Sequence, residues 1–274
     1  MRPRVFEEPT SAAALWSRRL ALLSLLLTAV GILGCRYGFV FQGFYIKGVD
    51  RHLAVALLFA AVVLAFSALL LALIAMSVLW RTGCKGFGAM LTGFFLSLLL
   101  LAYPAYLANL AWRLPALTDV STDLDDPPDF SMSPRALRLR DLSEVSSGDS
   151  SVLSNDMRQR QIAEAPDMGP LILDSDVGAA YHVVLQLAAE KGWQIVESVP
   201  PSGGIVGAAH AGRVDAIARD RFFGLPNDVA IRIRPQGTGS RIDIRARTLY
   251  LPHDFGANAE MIRQFMAELQ GEED

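Results

Sequence analysis

Five arginines fall on two neighbouring stretches: Arg232 and Arg234 in VAIRIRP, and Arg241, Arg245 and Arg247 in SRIDIRAR. In both, charged residues alternate with isoleucine or alanine. That is the period of a β-strand, so the arginines share one face. A guanidinium is planar, permanently charged and forked, a shape that fits carboxylate and phosphate. Five of them on one face form a candidate site for an anionic headgroup or polymer. The competing reading is a solvated, internally paired face. Arginine outnumbers lysine twenty-two to three, and Asp215 and Asp243 fall on the same face. Cross-strand pairs of this kind stabilise a sheet by ~0.2–1 kcal/mol each.

His253 and Asp254, with Asn258 one turn on, form a second group. They read either as an acid/base pair or as a helix start, because aspartate is a favoured N-cap. Asp254 joins Arg232, Arg234, Arg241, Arg245 and Arg247 as the candidate ligand-binding set. His182 and His210 stand alone and lack metal-ligand spacing. The sequence contains no HExxH, no CxxC and no nucleophile elbow. Gly237-Thr238-Gly239-Ser240 lacks the lysine of a phosphate loop and reads as a hairpin tip. Phe222-Phe223-Gly224-Leu225-Pro226 is an aromatic hairpin edge, filling a core or touching a membrane or partner. No catalytic residue, cofactor or metal is assigned. Enzymatic activity is left open, and the missing constellations weigh toward binding.

Several elements must position these groups. Asp176 can cap a helix running to about Lys191, stopped by Gly192. Trp193–Val199, Val214–Arg219, Val229–Arg234 and Arg241–Arg247 read as strands, and Ile205–His210 as a strand or loop. Pro226-Asn227-Asp228 and Gln236 to Gly239 read as turns. A last helix runs from Asp254 to about Leu269. The expected fold is α+β, with an antiparallel sheet and both helices packed on its apolar face. This domain is placed at 165–274.

The front of the chain differs in kind. Of 274 residues, 52% are hydrophobic and 19% charged, and mean hydropathy is +0.32. Residues 1–112 hold nine Lys/Arg and three Asp/Glu, whereas 113–274 hold sixteen and twenty-five, giving net charges of +6 and −9. A wholly soluble enzyme, a disordered chain and a disulfide scaffold are excluded. Leu53–Leu79 and Gly86–Trp112 are uncharged runs of twenty-seven residues, and Leu20–Cys35 is a shorter one. Crossing a hydrocarbon core takes roughly 20 helical residues. Residues 1–113 are therefore expected to form three transmembrane helices.

Positive charge favours the cytoplasmic side. With three spans, Arg2, Arg4, Arg18, Arg19, Arg81 and Lys85 lie on one side and Arg36, Lys47, Arg51 and Arg113 on the other. The expectation is a cytoplasmic N-terminus and a periplasmic C-terminal domain on a bacterial inner membrane. Interface aromatics fit that frame, with Trp16 and Trp80 inside and Tyr37, Phe39, Phe41, Tyr103, Tyr106 and Trp112 outside. An alternative for the first span is a lipoprotein-type signal, with Ile32-Leu33-Gly34-Cys35 as its cleavage box. Residues 114–164 read as an acidic, polar linker. Its Arg135, Arg138 and Arg140 are mixed with Asp141, Glu144 and Asp149.

The C-terminal half resembles a bacterial family catalogued as domain of unknown function 1499. The resemblance rests on PALTDVSTDLDDPPDF at 115–130, APDMGPL at 165–171, Gly192-Trp193, GRVDAIARDRFFGLPNDVAIRIRP at 212–235 and DFGANAEMI at 254–262. The chain departs from it at Ala246–His253 and is longer around Pro200–Ala211. Domains of this family are often tethered to membranes, and the resemblance implies no activity. The functional reading is a binding or accessory module at the cell envelope. Its partners are membrane lipids through the spans, and an envelope protein or anionic ligand. The alternatives are an envelope enzyme built from Asp254, His253 and the arginine face, or a structural subunit of a membrane complex. Nucleic acid is excluded as a partner by the −9 charge of this half.

Overall fold

The computed structural model describes residues 9–37, 40–41, 44–45, 50–139, 153–202 and 211–271. Phe39, Arg140, Asp141, Glu144, Asp149 and the Ile205–His210 stretch lie outside the described residues, as do the side chains of Phe41 and Arg138. The chain divides into two compact units, 1–110 and 111–274.

Three long helices dominate the first unit: α1 (Ala12–Tyr37), α2 (Asp50–Thr82) and α3 (Phe87–Arg113). A small hairpin, β1 (Val40–Phe41) and β2 (Phe44–Tyr45), joins the first two. All three helices are long and apolar enough to cross a membrane. The first is longer than its uncharged run, since it begins at Ala12 and carries Arg18 and Arg19 on its first turns. Large apolar side chains such as Phe59, Val63, Phe66 and Leu99 face outward. Small residues let the helices approach. Ser24 donates to the Ala61 carbonyl at 2.7 Å, and a Cβ on Gly93 would fall 2.4 Å from the Ser17 hydroxyl. Cys35 is buried within α1.

The second unit is an antiparallel sheet with helices. Its elements are β3 (Asp119–Ser121), α4 (Pro134–Leu139), α5 (Asn155–Glu164), β4 (Leu171–Leu173), α6 (Val177–Glu190), β5 (Gln194–Val199), β6 (Gly212–Arg219), β7 (Pro226–Gln236), β8 (Gly239–Thr248) and α7 (Ala257–Gly271). The strand order is β3-β8-β7-β6-β5, with β4 also pairing β8. The alternation in the sequence is realised in the register: Ile231 pairs with Ile244, Ile233 with Ile242, and Arg232 with Asp243. One sheet face presents Val214, Val229, Ile231, Ile233, Ile242, Ile244 and Ala246 to Val184 and Leu187 of α6 and Ile262, Phe265 and Leu269 of α7. Trp193 stacks on Phe265 at 4.8 Å.

The caps follow the residues. The Asp176 carboxylate accepts from Gly178 and Ala179 at the start of α6, and Gly192 (φ 69°) ends it in a left-handed conformation. The structure corrects the linker reading for residues 117–134. This acidic stretch is part of the folded domain. It begins as strand β3 on the edge of the sheet, and its continuation crosses the arginine face as a strap. Beyond it, Ala136 of α4 packs on Val196 and Ile217 of that same face. Gln161 of α5 then closes the edge. Its side-chain amide accepts from Ser121 N at 3.0 Å and donates to Ser121 O at 2.6 Å, as a neighbouring strand would.

Candidate functional site

The strap decides what the arginine face can do. Asp123 follows β3 and sits over the centre of β7 and β8. One of its carboxylate oxygens accepts from Arg232 at 3.5 Å, Arg234 at 3.0 Å and Arg241 at 2.7 Å. The other accepts the backbone N–H groups of Asp125 and Asp126. Asp243 binds the same three guanidinium groups from within β8, at 3.4, 2.7 and 2.9 Å. Asp126 adds bonds to Arg232 and Arg234. Three carboxylates thus meet three arginines. Burial works against the charge on Asp123, but the Asp126 N–H, the Arg241 charge and the Arg234 hydrogen bond outweigh it and hold its carboxyl below the ordinary range.

Arg245 lies deeper, with Arg247 beside it. Arg245 is 0% exposed and grips Asp119 of β3 through two parallel bonds, at 2.9 and 2.8 Å. Arg247 binds Asp228 at 3.1 Å. The Phe130 ring, 7% exposed, lies over both guanidinium groups at 4.8 and 4.6 Å. So Arg232, Arg234 and Arg241 are brought together, and Arg245 and Arg247 pair beside them under Phe130. All five engage the chain's own acids. The cross-paired reading matches this geometry, with the larger share of the acids coming from the strap.

Asp254 is not part of that constellation. It lies at the end of the sheet, where its carboxylate accepts from Leu117 N at 3.0 Å and Asn258 N at 3.2 Å. Burial raises its pKa, outweighing the N–H groups of Asn258, Gly256 and Leu117 and the nearby His253. His253 accepts the Phe255 N–H on Nδ1 at 2.9 Å, which leaves Nε2–H to donate to the Leu114 carbonyl at 3.1 Å. Asn258 donates to the Leu117 carbonyl and to Thr248. These bonds place the start of α7 against residues 114–117, and the group has no acid/base geometry toward an open space.

A concavity of about 270 Å³ opens elsewhere, where the strap meets the β5–β6 edge. It is lined by Asp129, Phe130, Ser131, Met132, Ser133, Glu197, Val199, Arg213 and Asp215. Asp215 is buried and accepts the Ser131 N–H at 2.9 Å. The Ser131 hydroxyl bonds Glu197 and lies 3.2 Å from the Ser133 hydroxyl. Arg213 donates to the Asp129 carbonyl at 3.0 Å. Three carboxylates against one guanidinium make the lining acidic. The Ser131 hydroxyl sits beside the Glu197 carboxylate, and the lining contains no histidine. Among the described residues, no group of three His, Cys, Asp or Glu side chains is placed to hold a metal.

The profile of the family described as "Protein of unknown function (DUF1499)" matches residues 119–269. The chain belongs to this family. The match begins at Asp119, the first residue of β3, and ends in α7, so the strap is part of the family domain and the three apolar helices precede it. No curated protein and no solved structure matches the chain. Reasoning from spacing missed Asp119, Asp123, Asp126 and Phe130 as partners of the arginine face. The available signal was the family resemblance, whose first segment covers residues 115–130.

Proposed function

We propose that this DUF1499 protein is a membrane-anchored binding or accessory module of the cell envelope, with its domain on the outer side of a bacterial inner membrane. One observation carries the reading. The charged groups that would build a catalytic site, the five arginines and Asp254, are engaged in holding residues 114–130 on the domain. An open feature lies instead at the acidic concavity beside Glu197 and Asp215. The six positive charges on the N-terminal side of the spans, against four on the other, support the orientation.

The concavity suits an envelope protein that presents a lysine or arginine side chain. Carboxylates attract such a group, and the apolar Phe130, Met132 and Val199 accommodate its methylene stem. An anionic ligand is the second reading. It would enter at Arg234, the most exposed of the paired arginines on β7 and β8, by displacing Asp126, whose side chain is 66% exposed.

The test is a photo-crosslinking residue at Met132 of the full-length protein in intact cells, alone and with Glu197→Lys. A discrete adduct that disappears with Glu197→Lys supports a cationic protein partner. Adducts that ignore the charge reversal, or none at all, overturn that partner.

A further inference from the structure

One end of the sheet differs from the rest of this acidic domain. The β6–β7 turn and the C-terminal end of β8 lie together there, because Arg219 pairs with Pro226 and Asn227 with Thr248. The start of β3 lies there too, since Asp119 pairs with Arg247. Three segments therefore meet at this end: 114–118, 220–225 and 249–256. Their exposed or half-exposed side chains include Arg221, Phe222, Phe223, Tyr250, Pro252 and Phe255. Phe222 packs edge-on against Phe255 at 5.2 Å, and Phe255 stacks on His253 at 4.9 Å. Phe255 is held at φ 53°, a conformation rare for a bulky side chain.

The charges at this end are sorted. The two carboxylates of these segments turn onto backbone N–H groups. Asp220 accepts from Phe222, Phe223 and Leu225 at 2.7, 2.7 and 2.5 Å, and Asp254 accepts from Leu117 and Asn258. Arg221 is exposed, with its guanidinium 4.9 Å over the Phe222 ring. Aromatic rings with an adjacent arginine and no outward carboxylate are the composition of a membrane interface.

Chain length supplies the occupant. Leu114, whose carbonyl His253 binds, is the first residue after α3, one peptide step of about 4 Å beyond Arg113. Leu117 can lie no more than roughly 14 Å from Arg113. If α3 crosses a bilayer, this end of the sheet cannot stand far from it.

We infer that the 220–225 and 249–256 loops rest in the headgroup–acyl boundary of the leaflet from which α3 emerges, so that the domain is seated on the lipid surface. The inference rests on the membrane-anchored part of the functional reading and is independent of which leaflet is involved. Seating would fix the domain's opposite end, which bears the Gln236–Gly239 turn, away from the membrane.

The test uses full-length protein in phospholipid nanodiscs, with Cys35→Ala and Cys84→Ala. A nitroxide is attached at Arg221→Cys, Pro252→Cys or Thr238→Cys, all exposed positions. Collision with oxygen, which dissolves in lipid, is compared with collision with a water-soluble nickel chelate. The expected oxygen-to-nickel ratio is several-fold higher at 221 and 252 than at 238. Equal, water-like ratios at all three overturn the seating. The ratio is the same in either leaflet, so a wrong orientation would leave this result intact. A failed seating would equally leave the orientation standing.

Discussion

Asp123 shows how one side chain can decide whether a charged face is open or closed. It gathers Arg232, Arg234 and Arg241 from two strands, and its other oxygen is fixed by its own backbone turn. Its carboxyl is held below the ordinary value of 3.8. The stabilisation it provides is therefore complete above that value and lost as pH falls through the lower folded value. Asp123→Asn is expected to destabilise the domain by ~2 kcal/mol at neutral pH, the range for hydrogen bonds to charged groups. The gap from wild type should close under strongly acidic conditions. Urea unfolding followed by Trp193 fluorescence reads this, and a gap that stays constant with pH would contradict it. Asp254 has the opposite sign. Its pKa is raised by burial, so its contribution improves as pH falls through the raised value. The arginines were legible in the sequence because period two fixes their face. Their partner was not, because Asp123 lies more than a hundred residues upstream of them and nothing local links the two.

Among the elements, the strongest periodic ones were readable. α6 followed from Asp176 and Gly192, and β6, β7 and β8 from alternation, except that Pro226-Asn227-Asp228, read as a turn, opens β7 and the turn falls at 220–225. Elements whose stability comes from tertiary contact were not. β3 has three residues and β4 has three, too few to show a period. α5 is polar over most of its surface and is placed by one buried glutamine. The acidic strap has the composition of a disordered linker, and it folds because the arginines await it. β4 offers a sharp test of such packing. Its Leu173 carbonyl approaches Gly239 so closely that an added Cβ would fall 2.1 Å from the oxygen. Gly239→Ala should push β4 off β8, at an overpacking cost of about 1–3 kcal/mol. Amide exchange at Leu171–Leu173 is expected to accelerate while β7 stays protected. Unchanged protection at β4 would show that it does not depend on this close approach.

For the molecule as a whole, three apolar helices lead into a DUF1499 domain with little chain between them. Residues 114–117 are bound by His253, Asp254 and Asn258. The group that resembled an acid/base pair in the sequence thus holds residues 114–117 on the domain. Hydropathy made the three long apolar helices legible, because their uncharged runs are long. The side of the membrane rests on a six-to-four bias in positive charge, and every envelope role proposed for the domain depends on it. The most direct measurement is a pair of reporter fusions after Asp274, one to alkaline phosphatase and one to a fluorescent protein that matures only in the cytoplasm. Phosphatase activity without fluorescence is the predicted result. Fluorescence without phosphatase activity would put the domain in the cytoplasm and contradict the account.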